Sequence, residues 1–165
     1  MTGEAVDFAS VHYKLYELKV EASPEEVWKF HSSAESLEVL TPPGKRAKII
    51  SSEKDVKEDA LHTVRMWLFG IIPVVWKARI SQVTPPYGFT DQAEKSPFKF
   101  WRHRHDFIPD GEGTLIRDMV AYIVPFGKVG KAINKFYVSK DLDRIFAHRH
   151  DATKKALAQA VRDTR

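Results

Sequence analysis

The chain has 165 residues, no cysteine and a formal net charge of +4. This length favours one domain with a full hydrophobic core, and an aromatic content of 12% without low-complexity tracts argues against disorder. The lack of cysteine excludes disulfides, thiol nucleophiles and thiolate metal sites, and it is compatible with a reducing cytoplasm, the location we expect.

The first ten residues are acidic and small rather than basic and apolar, so they predict a loose leader over residues 1–10 and no signal peptide. The longest apolar run, Leu68–Trp76, is too short to span a bilayer and contains Pro73. We therefore expect a soluble, unprocessed protein that forms a single domain over residues 1–165.

Residues 12–21 alternate between apolar and polar types and predict the first strand. Ser23 is followed by Pro24 and, three positions after the serine, by Glu26, which is the pattern of a capping box with proline at the first helical position. This helix ends near His31. A second short helix over residues 34–40 is stopped by the Pro-Pro-Gly sequence at 42–44.

Four further segments, residues 45–53, 61–69, 72–83 and 89–95, alternate in the manner of antiparallel strands. Gly70 is expected at the tight turn between the second and third of these segments. Pro73 suits an edge or an irregular strand start because it cannot donate a ladder hydrogen bond.

A hairpin over Phe98–Val124 dominates the pattern, with its turn at residues 110–113. Side chains two apart share a face of a strand, so an otherwise apolar face carries embedded polar groups. A turn centred between Gly111 and Glu112 predicts the pairs His105–Asp118, His103–Val120 and Trp101–Tyr122. Counting back across residues 96–98 predicts the further pairs Asp91–His103 and Phe89–His105.

After Gly127 the apolar period changes to about 3.6 residues, which predicts a helix of roughly 30 residues with a break near Val138 and Ser139. Its apolar stripe is expected to lie on the concave face of the sheet. From Lys128 onward ten Lys or Arg stand against four Asp, which indicates a solvated helix face or, as the alternative, contact with phosphates or an anionic membrane. The stripe comprises Val129, Ile133, Phe136, Val138, Leu142, Ile145, Phe146, Arg149, Ala152, Ala156 and Ala160.

One strand, two short helices, six consecutive strands and a long C-terminal helix is the element order of the α+β helix-grip fold. The chain resembles the START-like superfamily (SRPBCC), which holds birch-pollen-type allergens, polyketide cyclases/dehydrases and coenzyme Q-binding proteins, and it is most similar to bacterial ligand-binding members of unassigned function. The resemblance covers Tyr13 to Ala160. It rests on LTPPG at Leu40–Gly44, LFGIIPVVW at Leu68–Trp76, FWRHRHDF at Phe100–Phe107, IRDMVAYIVPFG at Ile116–Gly127 and RIFAHRH at Arg144–His150.

The resemblance implies a curved sheet of six or seven strands around the long helix, with a cavity between them that binds a hydrophobic or amphipathic small molecule. A lipid, quinone or polyketide-like ligand would fit a carrier or sensor. The face assignment places nine residues on the cavity wall as predicted ligand contacts. They are Trp76, Phe89, Asp91, Trp101, His103, His105, Asp118, Val120 and Tyr122.

Two other site chemistries are weaker alternatives. A cyclase or dehydrase-like enzyme would use His105, oriented by Asp118, as acid or base, with Tyr122 or His103 polarising a carbonyl. A metal site could use His103 and His105 with Asp91 or Asp118, but this spacing is common by chance, so we predict no metal. Since no glycine-rich phosphate loop is present, no nucleotide cofactor is predicted either.

A third interpretation is an interaction module that uses the basic helix and an outer sheet face. This face would carry Lys77, Arg79, Arg102 and Arg104, but few aromatic residues accompany them, so no nucleic-acid partner is expected. His31 is assigned a structural role at a helix end. His148 and His150 are about 200° apart on the helix and are predicted to be surface residues.

Overall fold

The computed structural model describes residues 8–33, 35–51, 53–68 and 71–163. Within these residues seven strands form one antiparallel sheet in the order β1-β7-β6-β5-β4-β3-β2. The strands are β1 (His12–Val20), β2 (Ala47–Ile49), β3 (Leu61–Leu68), β4 (Ile72–Thr84), β5 (Gly88–Lys95), β6 (Phe100–Asp110) and β7 (Gly113–Ile123).

The helices follow the predicted order. A single 3₁₀ turn (Phe8–Ser10) precedes β1, and α1 (Pro24–His31) and α2 (Glu35–Leu40) separate β1 from β2. After β7 come α3 (Gly127–Ile133), a π-helical turn (Asn134–Val138) and α4 (Ser139–Asp163). The α+β helix-grip fold predicted from the sequence, a curved sheet around a long C-terminal helix, is confirmed.

The start of α1 is fixed by local hydrogen bonds. The Ser23 hydroxyl accepts from the Glu26 amide at 3.3 Å, and the Glu26 carboxylate accepts from the Ser23 amide at 2.8 Å, so the predicted capping box is present. Val27 and His31, four residues apart on one face of α1, are both buried.

The predicted register of the central strands is confirmed. β6 and β7 align His105 with Asp118, His103 with Val120 and Trp101 with Tyr122. β5 and β6 align Asp91 with His103 and Phe89 with His105. The polar groups of three neighbouring strands therefore meet on one face of the sheet.

The edge of the sheet differs from the prediction. β2 has three residues rather than the nine predicted over 45–53, although the Ile50 amide still donates to the Thr63 carbonyl at 2.8 Å. Pro73 pairs with Trp67 on β3, whereas pairing of β4 with β5 begins at Lys77. The proline therefore has no partner strand on the β5 side, where its missing backbone N–H would otherwise cost a hydrogen bond. The turn predicted at Gly70 lies outside the described residues.

The C-terminal helix does not break near Val138; it widens into the π-helical turn. There the Tyr122 hydroxyl donates to Asn134 Oδ1 at 2.9 Å, which ties the turn to β7. Val129, Ile133 and Phe136 face outward, with exposed fractions of 64%, 41% and 69%, so the prediction that they face the sheet is wrong. Gly130 is buried instead, and an added Cβ would lie 1.9 Å from the Pro125 carbonyl oxygen.

α4 packs on the sheet through Leu142, Phe146 and Leu157, all buried. Phe146 stacks on Tyr16 of β1 with ring centroids 4.1 Å apart. The first turn of α4 is also tethered by ion pairs on both sides, since Asp141 lies 2.9 Å from Lys45 Nζ, and Asp143 lies 2.8 Å from Lys14 Nζ.

Candidate functional site

Two apolar clusters occupy the inner face of the sheet, under α1 and α4. One contains Phe89 and Phe107, and the other contains Trp101 and Tyr122. On β6 the two clusters are separated by two residues that point to the same face, so a polar layer lies between them. We call Asp91, His103, His105 and Asp118, which form this layer, the His-Asp cluster.

The imidazole rings of His103 and His105 lie against each other between the two carboxylates, with centroids 3.8 Å apart and planes tilted by 38°. His103 Nε2 donates to Asp118 Oδ1 at 2.8 Å, and His105 Nε2 donates to Asp91 Oδ2 at 3.1 Å. The other nitrogens are also near the carboxylates: His105 Nδ1 lies 3.0 Å from Asp118 Oδ1, out of line for a hydrogen bond, and His103 Nδ1 lies 3.4 Å from Asp91 Oδ2.

The carboxylates determine the charge of this layer. Burial disfavours the charged form of His103, but the contacts with Asp118 and Asp91 outweigh it and raise the pKa of His103 to about 9. Burial likewise acts to raise the pKa of each aspartate, yet both values are lowered because the histidines lie against the carboxylates. The interior of the protein therefore holds two carboxylates and a charged His103 in direct contact.

The predicted catalytic group is only partly assembled. His105 and Asp118 are opposite each other, but Asp118 accepts its hydrogen bond from His103, and His105 donates to Asp91 instead. The Tyr122 hydroxyl donates to Asn134 rather than to a member of the His-Asp cluster. The geometry thus supports a structural or ligand-binding cluster more directly than a His105–Asp118–Tyr122 catalytic group.

Two further histidines that face the same interior were not selected as site residues. His31 is buried on α1, and burial lowers its pKa to about 3; its Nε2 has no hydrogen-bond partner in the structure. His150 was predicted on the surface, but it is half-buried and its Nε2 is also enclosed without a partner. The four-residue spacings from Val27 to His31 and from Phe146 to His150 are the sequence signals that place both side chains inward.

The predicted aromatic contacts lie on the inner face, where they pack against one another. Trp76 meets Trp101 edge to face at 5.2 Å, and Phe89 stacks on His105 at 4.2 Å. Val120 is 1% exposed and belongs to the cluster that Phe146 of α4 covers. Contact of these side chains with a ligand stays a prediction.

A groove of about 630 Å³ lies between α4 and the edge of the sheet, and none of the nine predicted contact residues lines it. We call it the α4 groove. Its walls come from α2, the connection to β2, β2 itself, β3 and α4. The lining residues are Glu38, Val39, Thr41, Pro42, Pro43, Lys45, Arg46, Ala47, Lys48, Trp67 and His148.

A second hollow, the outer groove, lies on the opposite face of the sheet and includes Tyr13, Leu15 and Ala121. Its arginines already have partners within the chain. Arg102 donates to the Gln82 side chain at 2.8 Å, and Arg104 donates to Asp106 at 2.6 Å. These contacts reduce the capacity of the outer face to bind phosphates.

No helix in the described part of the chain is long and apolar enough to cross a membrane. No curated protein matches the sequence.

Solved structures reveal the fold relatives. The chain is similar to SA2116, a protein of unknown function from Staphylococcus aureus, with a TM-score of 0.69, 13% identity and coverage of 93% of this chain and 99% of that one. TTHA0849 from Thermus thermophilus matches with a TM-score of 0.67 and 19% identity, and the match covers 90% of this chain and 99% of that one. A point mutant of norcoclaurine synthase from Thalictrum flavum, solved with a transition-state analogue, matches with a TM-score of 0.65 and 19% identity. This match covers 91% of this chain and 96% of that one.

These matches confirm the predicted START-like (SRPBCC) fold. The sequence family described as domain of unknown function DUF8410 matches residues 18–157. The chain therefore belongs to the DUF8410 family.

Proposed function

We propose that this protein binds a hydrophobic or amphipathic small molecule, of lipid, quinone or polyketide type, and acts as its carrier or sensor in the cytoplasm. The observation that carries the proposal is the α4 groove, which opens between the long helix and the sheet. Its volume of about 630 Å³ falls in the range of small-molecule sites, roughly 300 to 1,000 Å³. The norcoclaurine synthase that shares this fold was solved with a transition-state analogue, which supports small-molecule binding in general.

The groove combines apolar walls with positive charge. Val39, Ala47 and Trp67 provide apolar surface, whereas three basic residues face a single acidic one, Glu38. Lys45 is already paired with Asp141, which leaves Arg46 and Lys48 as the cations best suited to a ligand. We infer that the bound molecule has an apolar body and an acidic head group, because a buried or half-buried anion requires such a partner.

A pair of matched substitutions tests the location. Ala47→Trp would fill the α4 groove, and Ala121→Trp would fill the outer groove with the same added side chain. We expect the first to weaken binding of a fluorescent fatty acid by more than about tenfold, the loss produced by about 1.4 kcal/mol, and the second to leave it unchanged. Circular dichroism and thermal melting would check that both variants are folded.

Native mass spectrometry of protein purified from its own source would reveal a molecule that stays bound. The proposal is overturned if no such molecule is found and the wild type does not bind the fluorescent fatty acid either. If Ala121→Trp abolishes binding while Ala47→Trp does not, the α4 groove is not the site.

The proposal includes peripheral contact with an anionic membrane, from which an amphipathic ligand would be collected. Phe126, Val129, Ile133 and Phe136 are exposed along the start of the C-terminal helix. Phe126 is 77% exposed and has a left-handed backbone angle of 75°, which a bulky residue rarely adopts. We call this the apolar-lysine surface, because exposed lysines are interleaved with the apolar residues. They are Lys128, Lys131 and Lys135.

Exposed apolar side chains beside lysines match the chemistry of a negatively charged bilayer. The apolar side chains would enter the boundary between headgroups and acyl chains, and the lysines would meet the lipid phosphates. A nucleic acid would match the lysines alone, so the proposal has no nucleic-acid partner.

A further inference from the structure

We propose that the His-Asp cluster binds a divalent transition metal ion such as Zn²⁺, with Asp91, His103 and His105 as its ligands and Asp118 as the carboxylate that orients both histidines. This inference goes beyond ligand binding in the α4 groove and does not depend on it. The sequence alone favoured no metal because its spacing is common by chance. The arrangement of four side chains from three strands is what changes that conclusion.

The ligand atoms already converge. Those of Asp91, His103 and His105 all lie within 4.8 Å of one another. Asp91 Oδ2 lies 3.4 Å from His103 Nδ1 and 3.1 Å from His105 Nε2. A tetrahedral Zn²⁺ with bonds of about 2.0 to 2.1 Å holds its ligand atoms about 3.3 Å apart, so small side-chain shifts suffice to admit the ion.

The opposite edges of the two rings provide independent support. A histidine that binds a metal through one ring nitrogen almost always presents the other to a carboxylate or carbonyl, which fixes the ring. Here the nitrogens that face away from Asp91, His103 Nε2 and His105 Nδ1, lie 2.8 and 3.0 Å from one oxygen of Asp118. One oxygen of Asp118 therefore lies beside both rings on the side opposite to the ion. It already accepts a hydrogen bond from His103, and a small rotation of the His105 ring would bring that ring into line as well.

The other oxygen of Asp91 is also oriented. Trp101 Nε1 donates to Asp91 Oδ1 at 3.3 Å, which leaves Oδ2 directed at the histidines. The Asp91 side chain is 18% exposed, against 3% for Asp118, so the Asp91 edge is the more accessible of the two.

Charge balance favours an ion of this type. Two carboxylates and one divalent cation sum to zero when the ion has replaced the His103 proton and both imidazoles are neutral, so the filled site needs no further counter-charge in the interior. Two nitrogens and one oxygen suit zinc and similar ions better than Mg²⁺ or Ca²⁺, which prefer oxygen. Three protein ligands leave the fourth position to water or to a bound molecule.

Metal binding can be measured directly with the full chain. Metal-free protein would be titrated with Zn²⁺ in competition with a chromophoric chelator, and with Co²⁺ while its visible absorption is recorded. We expect one ion per chain and the intense spectrum of a four-coordinate cobalt site. Asp118→Asn should weaken Zn²⁺ binding by about 10- to 100-fold, as loss of an outer carboxylate does, and Asp91→Asn should weaken it more.

His62→Gln is the matched control. His62 is a half-buried histidine on β3 whose Nε2 lies 2.9 Å from the Asp55 carbonyl oxygen, away from the His-Asp cluster. This variant should bind Zn²⁺ as the wild type does.

The proposal is overturned if the wild type fails to bind Zn²⁺ or Co²⁺ at micromolar concentration, or if folded Asp91→Asn binds as tightly as His62→Gln. Should Asp91→Asn not fold, the ring-nitrogen NMR signals of the wild type decide, because those of His103 and His105 must shift on addition of Zn²⁺ and those of His62 must not. Ligand binding in the α4 groove is scored by a separate probe, so either conclusion can fail alone.

Discussion

His31 illustrates how a single buried side chain links the interior to solution conditions. Its ring packs on Phe107, with centroids 5.2 Å apart, and burial keeps it neutral. Asp118 favours the charged form, whereas Arg149, His105 and His103 oppose it. Burial is the largest of these effects, so the folded protein resists protonation of this histidine.

A pH-dependent stability follows from this residue. The pKa of His31 is about 3 in the folded state and about 6.5 when unfolded, so below pH 6.5 the unfolded chain binds a proton that the folded chain does not. The contribution to stability is complete above pH 6.5 and falls by about 1.4 kcal/mol for each pH unit below it. Urea unfolding of metal-free protein between pH 7 and pH 5 should reveal this slope.

His31→Gln is expected to have a shallower slope over the same interval, because it lacks the titrating ring while the His-Asp cluster is unchanged. Equal slopes for the two proteins would contradict the assignment.

At this scale the sequence predicted which residues meet but not how they bond. Alternation and turn position were enough to place His103, His105, Asp91 and Asp118 on one face. The hydrogen bonds run diagonally across the strands, from His103 to Asp118 and from His105 to Asp91. Opposite and diagonal side chains are both within reach of each other, so the side-chain rotamers decide which pairs bond, and the register of the strands does not predict them.

Among the elements, α4 raises the question of whether ion pairs or packing hold the helix on the sheet. Leu142 is buried at 6% exposure, while the adjacent Asp143, which meets Lys14 and Tyr16, has a side chain that is 52% exposed. Exposed ion pairs contribute little to stability because water and salt screen them, whereas a buried leucine leaves a cavity when truncated.

We therefore expect Leu142→Ala to lower the free energy of unfolding by about 2 to 5 kcal/mol and Asp143→Asn to lower it by no more than about 1 kcal/mol. Chemical denaturation of both variants gives the comparison. A loss for Asp143→Asn that equals or exceeds that of Leu142→Ala would show that the tether, not the packing, positions α4.

The apolar stripe of the C-terminal helix was only partly predictable. Leu142 and Phe146 were identified, but Leu157 was missed and Ala160, which was included, is exposed. Alanine is a weak marker of helix orientation because it occurs on both faces. The π-helical turn then displaces the phase between α3 and α4, an effect that no constant period of 3.6 residues can represent.

For the whole molecule, the apolar-lysine surface and the outer sheet face present similar apolar exposure but different charge surroundings. Phe126 and Phe136 are 77% and 69% exposed, and Tyr13 and Leu15 are 71% and 59% exposed. The two pairs therefore provide matched sites for a test of membrane contact.

Replacing both Phe126 and Phe136 by serine should reduce sedimentation with phosphatidylglycerol-containing vesicles by more than about tenfold, since each buried phenylalanine contributes about 1.5 to 3 kcal/mol. The Tyr13→Ser/Leu15→Ser variant should sediment like the wild type. Vesicles of phosphatidylcholine alone should bind all three proteins weakly because the lysines then have no anionic surface to meet. Equal losses for the two double variants would contradict a specific membrane-facing surface.

The overall architecture was predictable because element order and periodicity are properties of local sequence, and the predicted helix-grip fold is the one observed. The position of the α4 groove was not predictable, because the groove is the space left where the consecutive elements α2, β2 and β3 meet α4, which is distant from them in sequence.

The π-helical turn also affects how this chain can change through evolution. One side of residues 127–138 faces solvent, and Asn134 anchors this segment to β7, whereas α4 packs on the core. Substitutions on the exposed side of the first segment leave the packing of the second unchanged. One extra residue in a helical turn thus separates a segment that is free to vary in sequence from one whose residues are constrained by the core.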